Sequence, residues 1–240
     1  MAERLNQAVL GELLAMLAHD LRNPLSALES NLGFLESELP SNASSPSNGG
    51  VGEVIEDLRL SCDGLGRIID AVDLLGRHLA EERPGERVTS PVPLVLGAAL
   101  EGAQAAARSH WVELVVAPDS LRSATRVKAG RDMLVRALRA LLQNAIQHAP
   151  QGTEVHVVTH ESASTVVFRV EDSGPPLEEE FVVDAFSAEG QLRAKRFRGG
   201  RYGKGLGLFC ARVCADAAGV ELKLGKQATG NAFELSAERA

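Results

Sequence analysis

Leucines recur over the first forty residues at positions 10, 14, 17, 21, 25, 28, 32, 35 and 39. Alternating spacings of three and four predict one long helix with a coiled-coil-like apolar seam, and the extra four between Leu21 and Leu25 is a stutter in it. Pro40 to Gly50 (PSNASSPSNGG) is turn chemistry throughout and predicts a loop. A second run, Val51, Ile55, Leu58, Cys62, Leu65, Ile69 and Val72, repeats the seam and continues to Leu79, until Glu81-Glu82-Arg83-Pro84-Gly85 breaks it. The pair reads as an antiparallel helical hairpin. Two helices with one apolar stripe each do not close a core, so the hairpin is expected to meet a second copy in a four-helix bundle. A homodimer follows from that; packing of the hairpin onto its own C-terminal domain is the alternative.

Beyond Gly85 the pattern changes to short mixed elements. Periodicity predicts a helix from about Pro91 to Arg108, a strand Val112–Ala117, a helix Asp132–His148, and strands Glu154–His160 and Thr165–Glu171. After a loop come a helix Leu206–Ala218 and closing strands near Val220–Leu224 and Ala232–Ser236. Without regular βαβ alternation, this favours an α+β two-layer sandwich, one sheet backed by helices. A length of 240 residues with 45% hydrophobic positions allows one large domain or two small ones, and the break decides for two, residues 1–85 and 86–240.

A net charge of −7 repels nucleic acid and anionic membrane over most of the surface, so no nucleic-acid partner is expected. Cys62, Cys210 and Cys214 lack a disulfide framework, as for reduced thiols. The last two lie four apart on a predicted helix, where two zinc ligands or two packing residues both fit, but no further His or Cys completes a set. No stretch approaches the roughly 18 apolar residues of a membrane span. Glu3 and Glu12 interrupt the N-terminus where a signal peptide needs a continuous apolar run, so a soluble, cytoplasmic chain without membrane insertion is expected.

Four clusters carry candidate chemistry. On the first helix, His19 lies two residues from Leu17 and Leu21, about 200° around from each, and so points away from the seam. Asp20 beside it can accept the Nδ1 proton and leave Nε2 nucleophilic, Asn23 shares the His19 face, and Pro24 interrupts the helical hydrogen bonding. A solvated His-Asp pair on a kinked helix has the same sequence. In the second cluster, Asn144 and His148 are one turn apart near a helix end, offering an amide oxygen to a metal and a polar group to phosphates, or simply solvated capping groups.

The third is the strand running into Asp172-Ser173-Gly174-Pro175, where a carboxylate can accept from an adenine amino group and Gly174 leaves the base room. Asp-Ser-Gly is also an ordinary turn. The fourth, Gly203-Lys204-Gly205-Leu206-Gly207, opens a helix whose N-terminus and bare backbone favour phosphates. It is neither a Walker loop, since Gly205 stands where Ser or Thr follows the Lys, nor the dinucleotide fingerprint, whose spacing is GxGxxG. Arg193, Lys195, Arg196, Arg198, Arg201 and Lys204 make the segment before it cationic, fitting a mobile flap over a triphosphate or a docking patch for an acidic partner.

In this order the four clusters resemble the two-component sensor histidine kinases, in which a dimerisation and phosphotransfer hairpin precedes the ATP-binding domain shared with DNA gyrase and Hsp90. The resemblance runs from about residue 5 to 236. It implies a dimeric four-helix bundle followed by a Bergerat-type ATP-binding fold, with ATP and Mg²⁺ as cofactors. It further implies that His19 is phosphorylated with Asp20 as base, that Asn23 orients a water for phosphatase activity, and that Asn144 binds Mg²⁺. Asp172 with Gly174 would read adenine, Gly203, Gly205 and Gly207 form the glycine box with Lys204 among them, and Phe186 matches the phenylalanine before the ATP lid. The phosphoryl group would pass to a response-regulator receiver domain, and the absence of room for an input domain implies an upstream sensor protein. Three positions depart from the family pattern: Ala140 for the first Asn of its motif, Gln147 for a Lys, and Pro176 for the second Gly of Asp-x-Gly-x-Gly. They imply fewer phosphate contacts and a stiffer turn, and they leave open a non-catalytic phosphotransfer protein or pseudokinase.

Overall fold

The computed structural model describes residues 7–38, 48–79, 86–196 and 206–240. The chain forms two compact units, Leu5–Gly76 and Arg77–Ala240. In the first unit α1 (Gln7–Glu38) runs through Pro24 as one helix, and α2 (Asn48–Leu79) begins inside the stretch expected to be loop. The predicted break at Glu81 to Gly85 lies outside the described residues.

The leucine seam is not a single buried stripe. Leu13, Met16 and Leu17 of α1 and Ala71, Leu74 and Leu75 of α2 are buried, whereas Leu14, Leu25 and Leu32 are half exposed. On α2 the predicted seam positions Ile55, Ile69 and Val72 are exposed, Ile69 to 63%, and Cys62 is exposed as well. The reason is helical geometry: adjacent residues such as Leu13 and Leu14 are 100° apart, so a leucine-rich helix presents apolar groups in two directions. One set is covered in the protomer and the other is not.

The second unit contains β1 (Val88–Pro91), α3 (Val92–Glu101), α4 (Gln104–Ser109), β2 (Glu113–Val116), α5 (Pro118–Arg122), β3 (Arg126–Ala129) and α6 (Arg131–His148). It continues with β4 (Glu154–Glu161), β5 (Thr165–Asp172), α7 (Glu179–Val182), α8 (Ala188–Arg196), α9 (Gly207–Ala218), β6 (Glu221–Gly225) and β7 (Asn231–Arg239). The strands make one sheet in the order β1-β3-β7-β5-β4-β2, with β6 also on β7; β2 is parallel to β4 and the other pairs are antiparallel. The long predicted elements are present with one exception. The expected helix from Pro91 to Arg108 is instead a strand and two helices, because Pro91 closes β1 and Gly102 interrupts the helical run. A Cβ at Gly102 would stand 2.3 Å from Nε of Arg139, whose Nη2 donates to the Ala98 carbonyl at the end of α3.

Strand alternation decides what faces the helices. Val166, Phe168, Val170 and Asp172 of β5 are buried, as are Asn231, Phe233, Leu235 and Ala237 of β7. Successive strand residues point to opposite faces, so Asp172 continues the apolar row that packs under α6 and α9. The pairing register sets Asp172 directly opposite Asn231. On the other face Arg169 ties β5 to β7 and to the turn between β6 and β7, donating to Glu171 at 2.5 Å, to Glu234, and to the Lys226 carbonyl at 2.7 Å.

Candidate functional site

On α1 the His19 side chain is 66% exposed, and its Nδ1 lies 3.3 Å from Oδ1 of the half-buried Asp20. Projection away from the buried side is what the spacing predicts, and the carboxylate is where it can accept the Nδ1 proton. With Nδ1 as the donor in that bond, the lone pair is left on Nε2. Asn23 is also exposed.

In the second unit the chemistry gathers where β5, β7 and α6 meet. Asp172, 2% exposed, closes β5, and its Oδ1 accepts the Gly174 N–H at 2.8 Å and the Asn231 Nδ2–H at 3.2 Å. The first bond makes an Asx turn that holds the chain after the strand. Asn144 is buried in α6, one turn before the partly buried His148. Its Nδ2 has no hydrogen-bond acceptor among the described residues. A buried amide left with an unmet donor costs stability unless something supplies the acceptor, and phosphate oxygens would do so while the amide oxygen is left to a cation. The donor set therefore fits a Mg²⁺-phosphate group.

Phe186 and Phe233 pack in a T-shaped arrangement with ring centroids 6.4 Å apart, and the Arg212 guanidinium of α9 lies over the Phe186 ring, 5.3 Å from its centre. This stack joins the segment before α8 to β7 and α9. The described start of the cationic segment is helical and packed. Its first member, Arg193, is on α8, paired with Asp184 at 2.7 Å and lying 5.6 Å from the Phe181 ring centre. Gln191, Leu192 and Ala194 of the same helix are buried. Helical packing, invisible in a charge count, ties this part down. Arg198, Arg201, Gly203, Lys204 and Gly205 lie outside the described residues, as do the side chains of Lys195 and Arg196; Gly207 opens α9. Cys210 and Cys214 are buried along that helix.

Sequence reasoning passed over Asn231 and Gly230. Asn231 lies 5% exposed against Asp172, and Gly230 precedes it at φ +79°, where a Cβ would stand 1.8 Å from the Asp172 carbonyl oxygen. A Gly-Asn pair between two strands reads as turn punctuation, and only strand register reveals that it faces Asp172.

Two family models match the chain: residues 9–81 that of the His Kinase A (phospho-acceptor) domain, and residues 129–239 that of the histidine kinase-, DNA gyrase B- and HSP90-like ATPase. The chain belongs to the two-component histidine kinases. Similar proteins include the sensor histidine kinase YvrG of Bacillus subtilis, 26% identical over 86% of this chain and 34% of the relative. The sensory histidine kinase/phosphatase NtrB of Rhizobium meliloti is 29% identical over 56% of this chain and 31% of its own length. The chain thus spans about a third of these curated relatives. Among solved structures, the Acinetobacter baumannii histidine kinase AdeS shares the fold with a TM-score of 0.59 at 17% identity, covering 92% of this chain and 97% of that one. The histidine kinase ThkA, solved in complex with the response regulator protein TrrA, gives 0.60 at 19% identity, covering 97% of this chain and 63% of that one. None of the described helices is long and apolar enough to cross a membrane.

Proposed function

We propose that this chain is an ATP-dependent protein-histidine kinase that phosphorylates His19 and passes the group to an aspartate of a response-regulator receiver domain. The observation that carries the reading is the exposed His19 with Asp20 at its Nδ1. Asp20 accepts the Nδ1–H, Nε2 attacks the γ-phosphorus, the Nε2–P bond forms, and the bond to the oxygen bridging β- and γ-phosphorus breaks as ADP leaves. Asp172 and Gly174 take the adenine edge, while Asn144, His148, Lys204 and the glycines 203, 205 and 207 serve the phosphates. Bound Mg²⁺, held through the Asn144 oxygen, would neutralise charge developing on the β- and γ-oxygens. In a separate hydrolytic step, Asn23 on the His19 face orients a water that attacks the phosphorus of a phosphorylated receiver, releasing phosphate and the free aspartate. That the ThkA structure holds a response regulator supports the receiver as partner. Three free cysteines fit the reducing cytoplasm.

The departures at Ala140, Gln147 and Pro176 favour one other reading, a phosphotransfer protein that makes no use of ATP. Incubation with Mg²⁺ and γ-labelled ATP separates the two. The kinase reading expects an acid-labile, base-stable label that is absent in His19→Gln. No label at millimolar ATP, together with phosphoryl uptake from a phosphorylated receiver, would replace it with the phosphotransfer reading.

A further inference from the structure

Asn231 makes three hydrogen bonds around one turn from a single buried amide. Its Nδ2 donates to Asp172 Oδ1 at 3.2 Å and to the Pro175 carbonyl at 2.9 Å, and its Oδ1 accepts the Leu177 N–H at 2.8 Å. The turn it spans contains Pro175 and Pro176, which have no N–H and offer only carbonyls, so the backbone there lacks the donors with which a turn braces itself. The amide supplies that missing donor at Pro175 and an acceptor at Leu177. Gly230, without a side chain, lets the strand start pass close enough to the Asp172 carbonyl for the reach.

We propose that Asn231 is a positioning residue for nucleotide selection, fixing the Asp172 carboxylate and the two-proline turn so that the carboxylate meets a purine only as an acceptor. The inference rests on the reading that Asp172 faces the nucleotide base. A carboxylate whose Oδ1 is held by two N–H donors is fixed in direction and presents oxygen lone pairs. It pairs with the 6-amino group of adenine and opposes the 6-oxo group of hypoxanthine or guanine, where acceptor faces acceptor. Pre-set orientation spares the complex the ordering cost of a swinging carboxylate. In this arrangement Pro176 is not a defect in the family pattern: it stiffens a turn that Asn231 already holds.

The test measures binding of ATP and of inosine triphosphate, each with Mg²⁺, to the full chain by calorimetry, with the melting temperature as a separate readout. Asn231→Ala should weaken ATP binding about tenfold, the usual scale for losing a hydrogen bond to a charged group. It should also bring the two nucleotides to within about threefold of each other, since the discriminating acceptor is no longer fixed. Asn231→Asp keeps the volume and the acceptor for Leu177 but sets a second carboxylate against Asp172, so it should lose at least as much, and it decides the matter if Asn231→Ala does not fold. A purely architectural role lowers the melting temperature and leaves the ATP-to-inosine-triphosphate ratio of the folded protein unchanged; that outcome overturns the proposal. Asp172→Asn is the control. If it removes ATP binding while both Asn231 variants keep affinity and selectivity, only the role of Asn231 fails. If it binds ATP like the wild type, the nucleotide reading of Asp172 fails and takes this inference with it.

Discussion

Two carboxylates end neighbouring antiparallel strands and illustrate how differently one chemistry is used. Asp172 closes β5 in the buried layer, anchored by Gly174 and Asn231. Glu161 closes β4 at the surface, where its two oxygens accept hydroxyl protons from Ser123 and Thr125, both at 2.5 Å, and clamp the connection from α5 to β3. The Ser123 bond first, then the Thr125 bond, hold the Glu161 carboxyl below its ordinary value of 4.5 against the opposing effect of burial, with the charge of Arg239 adding the least. A group depressed in the folded state stabilises above its unfolded value and loses that contribution as pH falls through the folded one. The clamp is therefore expected to hold at neutral pH and to weaken on acidification below 4.5. Carboxyl ¹³C titration should place Glu161 below 4.5, and Ser123→Ala should move it upward. A Glu161 that titrates at or above the ordinary value in the intact protein would mean that the clamp does not form in solution.

Among the elements, α1 and α2 have the least settled surroundings within one protomer. Leu14, Leu25 and Leu32 on one, and Ile55, Ile69 and Val72 on the other, remain open to solvent, a larger run of apolar surface than a soluble helix pair usually leaves bare. A second hairpin covers such a stripe in a four-helix bundle, so the full chain is expected to scatter light as a dimer at micromolar concentration. Replacing Leu25 and Ile69 with Glu should produce monomers, because each puts a charge into the seam. A wild-type monomer would show that the stripe is covered some other way. In the expected dimer, Cys62, exposed between Ile55 and Ile69, lies at the two-protomer seam, where oxidative cross-linking reports the same pairing. In the other unit, the ordered α8 shows how packing can override a charge pattern: Arg193 contributes to a cationic run in sequence yet is committed to Asp184 and Phe181 in the fold.

At the scale of the whole molecule, every described residue of the candidate nucleotide site belongs to the unit Arg77–Ala240, along with its own core of Leu138, Phe168, Phe233 and Leu235. A unit with its own core carries its binding properties with it. Residues 77–240 alone are expected to bind ATP within about twofold of the full chain, since changes that share no neighbours act independently. They should not take up label, for want of His19. Calorimetry on the two proteins checks this, and a loss beyond tenfold would place part of the site on the hairpin.

The amino-acid sequence by itself determined the long helices, the β4–β5 pair, the outward turn of His19 and its carboxylate neighbour, and the order of the motifs. Each of these depends on spacings within a few residues, where helix and strand periods act directly. It did not reveal β1, β3, α5, α7 or α8, of four to nine residues each, because elements that short hold too little periodic signal and are stabilised by what they pack against. Nor did it reveal which leucines are covered, since a helix with two apolar directions carries no mark of the neighbour it will meet. Only the tertiary structure brought Asn231 to Asp172. The two are 59 residues apart and become partners through the register of β5 on β7, and that register is set by burying Phe168, Val170, Phe233 and Leu235 together beneath the helices.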